Sequence, residues 1–246
     1  MWWPRNDGRT LRDTDTGPLD HGRAPRLTPV AGVTVGPVAV RPESRGAGAV
    51  AVVPANRATW EDLQAVFGDR GTAARCQCQR YKLQPKESFA SQPVEERAHR
   101  LRQQTDSGQP SGAGTSGLVA YLAGEPAGWC AVEPRNAFTG LVRNQKVPWE
   151  GRDEDRTDAS VWALTCLLTR TGFRKRGVSR ALVAAAVEHA QAHGAAALEA
   201  YPITTAAVIL EELHVGLEQI YAEAGFVVVT RPTKRRTVMR LDFDTA

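Results

Sequence analysis

The chain has 246 residues, of which 42% are hydrophobic and 24% charged, with a formal net charge of +4. That is enough chain to bury a full core as one domain with room for an appendage, and the balance excludes a fibrous or wholly disordered protein. No apolar run approaches the ~20 residues that span a bilayer, and so mild a charge does not by itself mark a nucleic-acid binder. Four cysteines (Cys76, Cys78, Cys130 and Cys166) fit a reducing compartment. The polar stretch after Trp2 and Trp3 lacks a leader pattern. Both point to the cytoplasm.

Residues 1–48 hold 7 Gly and 6 Pro and no periodic apolar pattern, which reads as a low-complexity, disordered extension. The folded domain is expected over 49–246. Residues 49–53 (AVAVV) read as a first strand. Thr59 caps a helix over Trp60–Phe67, with apolar residues at 60, 63, 66 and 67. A loop carrying Cys76-Gln-Cys78 follows, then a second helix over Val94–Gln104 and a Gly/Ser turn region over Ser107–Gly117. Leu118–Leu122 and Gly128–Val132 form a hairpin around Ala123–Pro126. A long polar loop over 136–160 contains Glu150–Asp158, with five acids and two arginines. It reads as a solvated loop or as an electrostatic guide for a cationic amine. Val161–Leu168 is a buried strand by its length, and Ala181–Ala192 a helix started by Ser179 and stopped by Gly194. Then come a strand over Ala197–Ile203, a helix ending at Ile220–Phe226, and a hairpin of Val227–Thr230 with Thr237–Phe243. The order gives an α/β (α+β) fold, a mixed sheet with helices on both faces.

The segment Phe173–Arg180 (FRKRGVSR) carries the strongest chemical signal. Amides at a helix start have no intrahelical partner and carry partial positive charge. Gly177 lets backbone approach an anion closely, and Arg174, Lys175, Arg176 and Arg180 add full charges. Together they make a helix-N-terminus phosphate site, pointing to a phosphate-bearing cofactor and an enzyme. The P-loop string G-x-x-x-x-G-K-[ST] is absent, and the Rossmann turn is excluded because only Gly177 lies between Phe173 and His193.

At these residues the chain resembles the GNAT superfamily of acyl-CoA-dependent N-acyltransferases, whose signature is [QR]-x-x-G-x-[GA]. Arg174-Lys175-Arg176-Gly177-Val178-Ser179 matches the first and fourth positions and departs at Ser179. Ile220–Phe226 (IYAEAGF) is close to the family's Y-E-x-x-G-F. The resemblance covers roughly 49–244 and is strongest over 161–240. It implies a mostly antiparallel central sheet and acetyl-CoA as co-substrate. The implied reaction moves an acetyl group to the amine of a small molecule by direct attack in a ternary complex. A fourth strand splayed from the fifth would contact the pantetheine through Leu167, Leu168 and Thr169. Arg174, Lys175, Arg176, Gly177, Val178, Ser179 and Arg180 would hold the pyrophosphate, and Tyr221 would protonate the leaving thiolate. A phenol and a free thiol have comparable pKa values, so that transfer is matched.

The base is less evident. Many relatives place a Glu on strand four, but no Asp or Glu occurs from 159 to 187. Glu199 and Glu133 are the candidates, each also readable as a structural or rim charge, with water as the alternative. His214 stands seven residues before Tyr221, where many relatives have Asn. Cys76-x-Cys78 lacks a second ligand pair, so no metal is expected; these cysteines would line the acceptor site. His189 and His193, without the Glu of H-E-x-x-H, read as surface residues. Two other functions stay open: a non-catalytic acyl-CoA-binding regulatory module, suggested by the missing carboxylate, and an acyltransferase toward protein or aminoacyl-tRNA, suggested by an isoelectric point near 9.0. The expected partners are acetyl-CoA and an amine-bearing small molecule, with a homodimer considered and no membrane or nucleic acid.

Overall fold

The structure is a computed structural model that describes residues 48–112, 114–143, 148–205, 207 and 210–244. The Gly/Pro-rich extension, Gly48 apart, lies outside the described residues. Seven strands form one sheet: β1 (Val50–Pro54), β2 (Gly117–Leu122), β3 (Glu125–Pro134), β4 (Val161–Thr169), β5 (Ala197–Ala200), β6 (Val227–Thr233) and β7 (Arg236–Asp242). Their spatial order is β1-β2-β3-β4-β5-β7-β6. Only the β4–β5 pair is parallel. The helices are α1 (Trp60–Phe67), α2 (Gly71–Cys76), α3 (Val94–Thr105), α4 (Thr139–Val142), α5 (Val178–Ala192) and α6 (Glu218–Glu223).

Alternation along the central strands sorts side chains onto two cores. Leu118, Ala120, Leu122, Cys130, Val132 and Leu164 pack with Val178, Leu182, Val183, Ala186 and Ala190 of α5 on one face. Val119, Tyr121, Trp129, Ala131 and Ala163 pack with Leu63, Val66 and Phe67 of α1 and Leu101 of α3 on the other. Both faces are covered, so β2 is buried along its whole length. Alanine at 186 and 190 and Gly128 let α5 lie close to the sheet. A Cβ on Gly128 would stand 2.6 Å from Val178 Cγ1 and 3.0 Å from Leu182 Cδ1.

The expected elements appear with differences at α2, at the start of α5, at α4 and at β5, which stops at Ala200 instead of Ile203. Thr59 caps α1 as read, accepting from the Asp62 amide at 3.0 Å. The loop expected to carry Cys76 and Cys78 contains α2, six residues long and too short to leave a periodic signature. α5 begins earlier than expected, with Gly177 rather than Ser179 at its N-cap. Gly177 takes φ +82°, in the left-handed region that glycine enters without strain. The long polar loop contains α4 before its acidic part.

Candidate active site

β4 carries the site. Ala131 pairs with Cys166 and Val132 with Leu164, which leaves Thr165 as an extra residue, a bulge in β4. A bulge bends its strand and increases the local twist. It also shifts the alternation: Leu164 faces α5, while Cys166 joins the opposite core beside Cys78. β5 pairs with β4 only over Val161–Leu164. Past the bulge, Cys166–Thr169 keep their β3 partners, and among the described residues no strand pairs with them on the β5 side. Extended backbone on an open edge offers unused donors and acceptors to a ligand.

The basic turn follows directly. Lys175 takes φ +60° and Gly177 φ +82°, both in the left-handed region, within the turn before α5. The first intrahelical bond runs from the Ala181 amide to the Gly177 carbonyl at 3.0 Å. The amides ahead of it face out of the helix end. Thr169 Oγ1 and Ser179 Oγ, 3.0 Å apart, fasten the end of β4 to the first turn of α5.

A cavity of about 710 Å³ joins these parts. Leu167, Leu168, Thr169, Arg174, Lys175, Gly177, Val178, Ser179 and Arg180 line it. Arg176 is not among its lining residues; its guanidinium sits 5.6 Å from the Phe173 ring centroid. Arg180 shares its charge with Glu223 at 2.5 Å. Arg170, which the sequence reading passed over, lines the cavity beside Arg174 and Lys175. The far wall comes from α1, α2 and the loop after it, with Phe67, Arg70, Cys76, Cys78 and Arg80, and from His214 and Gly216. No Asp or Glu occurs among its described lining residues.

The profile of the acetyltransferase (GNAT) family matches residues 79–210, more than half of the chain. The chain belongs to the GNAT acetyltransferase family. Solved structures with a similar fold include a GCN5-related N-acetyltransferase from Kribbella flavida, 18% identical, with 79% of this chain and 98% of that one covered and a TM-score of 0.44. They also include PaiA N-acetyltransferase from Thermoplasma acidophilum in complex with coenzyme A (13% identical, 79% and 99% covered, TM-score 0.44). A third is YncA, a putative acetyltransferase from Salmonella typhimurium with acetyl-CoA (14%, 80% and 95%, TM-score 0.47). No curated protein matches the sequence.

Three side chains of this GNAT domain were expected to do proton chemistry, and none of them lines the cavity. Tyr221 is fully buried, and its hydroxyl donates to the Val215 carbonyl at 2.8 Å. Burial, then the nearby Cys130 and Cys166 thiols, push its pKa well above that of an ordinary phenol. Gly216 stands between it and the cavity: a Cβ there would lie 3.1 Å from the Tyr221 hydroxyl. In this conformation the proton is committed to the backbone. Glu199 on β5 is fully buried and meets Arg135 at 3.2 Å, Arg240 at 3.3 Å and Arg152, while the Tyr201 hydroxyl donates to it at 3.0 Å. These partners occupy the carboxylate within the sheet, away from the cavity. Glu133, at the end of β3, pairs with the buried Lys82 and accepts from Ser116. The acidic loop is likewise engaged internally. Glu154 pairs with Arg135, Arg152 and Arg240, and Asp155 and Asp158 accept from Thr157 and Ser160. None of that loop lines the cavity.

Cys76, Cys78 and Cys166 share the wall beyond the bulge. Gln77 and Cys78 both lie in the left-handed region, which strains each by about 1–2 kcal/mol. Gln77 holds the turn, donating to the Ala74 carbonyl at 2.9 Å and exchanging amide bonds with Gln64. The turn brings Cys78 beneath Trp129, whose indole N–H points at its sulfur at 3.4 Å. The Cys166 thiol beside it lowers the Cys78 pKa against the effect of burial, and the Trp129 bond acts in the same direction. Cys166 is pushed well above the ordinary thiol range by its bond to Cys78 and by burial. No group of three or more His, Cys, Asp or Glu placed to hold a metal occurs among the described residues.

Proposed function

We propose that the domain transfers an acetyl group from acetyl-CoA to the amine of a small molecule, by direct attack in a ternary complex in the cytoplasm. The observation that carries this reading is the union, in one cavity, of the open edge Cys166–Thr169 and the basic turn at the α5 start. The turn fits a diphosphate: outward amides, a glycine with no atom within 4 Å of a Cβ position, and Arg170, Arg174 and Lys175 around it. The open edge fits a pantetheine arm, an extended chain of amides that can pair with it as a strand would, through Leu167, Leu168 and Thr169. Val178, Ser179 and Arg180 complete the anion site; Arg176 contributes at longer range.

In the reaction the amine nitrogen attacks the thioester carbonyl carbon, a C–N bond forms, and the C–S bond breaks. Backbone N–H groups of the open edge polarise the carbonyl. With no carboxylate in the described lining, His214 takes the ammonium proton, directly or through water. Water returns a proton to the thiolate, since Tyr221 is engaged elsewhere. The missing carboxylate also favours a second reading, a domain that binds acyl-CoA without turnover. Calorimetry with coenzyme A and a turnover assay with acetyl-CoA over an amine panel separate the two. Binding with turnover is expected. Binding without turnover selects the second reading, and no binding overturns both.

A further inference from the structure

A recess of about 350 Å³ opens beside the cavity, sharing Thr72, Cys76 and Arg80 with it. Its other walls are Arg75, Phe89, Ala90 and Arg97, so it holds three guanidinium groups and no acid among its described residues. Arg97, on α3, is only 5% exposed. Its Nη1 donates to the carbonyls of Gln92 at 2.6 Å and Phe89 at 3.0 Å, and its buried Nε has no hydrogen-bond partner. No carboxylate among the described residues pairs with it. The two acids on this side are taken by its neighbour: Arg100 holds Glu87 and Glu96, each at 2.9 Å. Arg97 and Arg80 both lie against the Phe89 ring, at 4.9 and 5.8 Å from its centroid, which fixes the two charges relative to each other. A buried guanidinium without a counter-ion is costly, and the usual compensation is an anion that pairs with it.

We propose that this recess is an anion subsite, and that the acceptor amine carries a carboxylate or phosphate group which Arg97 and Arg80 hold while the amine reaches the cavity. The proposal rests on the acyl-transfer reading and reverses the sequence expectation of a cationic amine drawn by the acidic loop. A planar oxyanion suits the Arg fork, which offers paired N–H donors. The Phe89 ring supplies an apolar floor for the carbon skeleton. His214 belongs to the same end of the cavity, with its ring 6.3 Å from that of Tyr81, next to Arg80.

The test is calorimetry on the full chain saturated with coenzyme A, using N-acetylglycine, its neutral amide, and N-acetylaminomethylphosphonate as product-like probes. One of the two anionic probes is expected to bind at least tenfold tighter than the amide, and which one does so assigns the oxyanion. Arg97→Gln is expected to remove that preference with coenzyme A affinity unchanged. Because Arg97 is buried, Arg80→Gln is the second variant, an exposed position whose loss weakens both anionic probes and leaves the amide alone. Equal binding of anion and amide by the parent, or a preference that survives both variants, overturns the proposal. Titrating the same probes without coenzyme A keeps the two readings apart. An anion preference in a protein that does not bind coenzyme A removes the acyl-transfer reading and leaves the anion site.

Discussion

Tyr221 has its only proton on the Val215 carbonyl at 2.8 Å, so its hydroxyl stabilises the segment after β5 before it can serve a substrate. Tyr221→Phe keeps the ring against Phe226 and leaves the carbonyl unpaired. We expect a loss of about 1 kcal/mol in urea unfolding and less than a threefold fall in kcat under saturating acceptor. A fall on the order of 10²-fold would restore the acid role. Gly177 is the contrasting residue, since nothing crowds a Cβ there and only the backbone angle and the anion matter. Gly177→Ala introduces the left-handed strain, about 1 kcal/mol. Gly177→Asp adds a negative charge at the helix start, and coenzyme A should then bind at least tenfold more weakly than to the alanine variant. Equal calorimetric affinities of the two would place the diphosphate elsewhere.

At the scale of the element, α5 lies against the sheet at both ends for different reasons. At its start, a Cβ on Gly128 would also come within 2.9 Å of the carbonyl of Leu168, a residue of the cavity wall. Gly128→Ala should destabilise the fold by about 1–3 kcal/mol through overpacking, and should weaken coenzyme A binding because it lifts the first turn of α5. A melting temperature equal to the parent's would show that the helix yields freely. At its end, the His189 and His193 rings lie tilted against each other with centroids 4.2 Å apart, and both lie 5.7 Å from the Trp162 ring. They were expected on the surface, but His189 is half-buried, and burial followed by His193 lowers its pKa to about 4. The folded pKa lies below the unfolded value of 6.5, so this contribution to stability is complete above pH 6.5 and is lost as the pH falls toward 4. The full shift corresponds to about 3 kcal/mol across that window, and solvent around the half-buried ring screens it to about 2 kcal/mol. In urea unfolding at pH 7 and pH 5, His189→Gln should lose less stability on acidification than the parent. Parallel losses would remove His189 as the cause.

Across the whole molecule, one buried charge cluster connects parts distant in sequence. Glu199 of β5 faces Arg240 of β7 across the sheet and reaches Arg135 after β3 and Arg152 of the acidic loop. Trp149 lies against the guanidiniums of Arg135, Arg152 and Arg156. The loop thereby packs onto the sheet through Glu199, which makes that carboxylate a tie between elements. Removing one member of a buried ionic group leaves the others uncompensated, so Glu199→Ala should cost about 3–5 kcal/mol, with kcat per folded molecule within threefold of the parent. Near-parental stability with a kcat loss on the basic side of the pH profile would instead return Glu199 to the chemistry.

Patterns local in the chain were legible without the fold. The Thr59 cap, the alternation through Leu118–Leu122, and the order of basic turn and alanine-rich helix depend on neighbours within a few positions. From them came the mixed sheet, the family, and most of the residues around the proposed diphosphate site. What depended on closure was not legible. Thr165 is a bulge only because β3 and β4 pair out of step on either side of it. α2 has one and a half turns and no period to read. Glu199 finds its arginines 41, 47 and 64 positions away, a pairing that no window of sequence contains. The same holds for Tyr221, whose motif named the residue but not the carbonyl that takes its proton. It holds too for Arg97, which reads as one more surface charge on an amphipathic helix. Only packing against Phe89, with Glu87 and Glu96 drawn to Arg100, leaves that guanidinium buried and without a carboxylate partner among the described residues. Sequence fixes what each residue can do chemically, and the tertiary structure decides which partners use up that capacity before a substrate arrives.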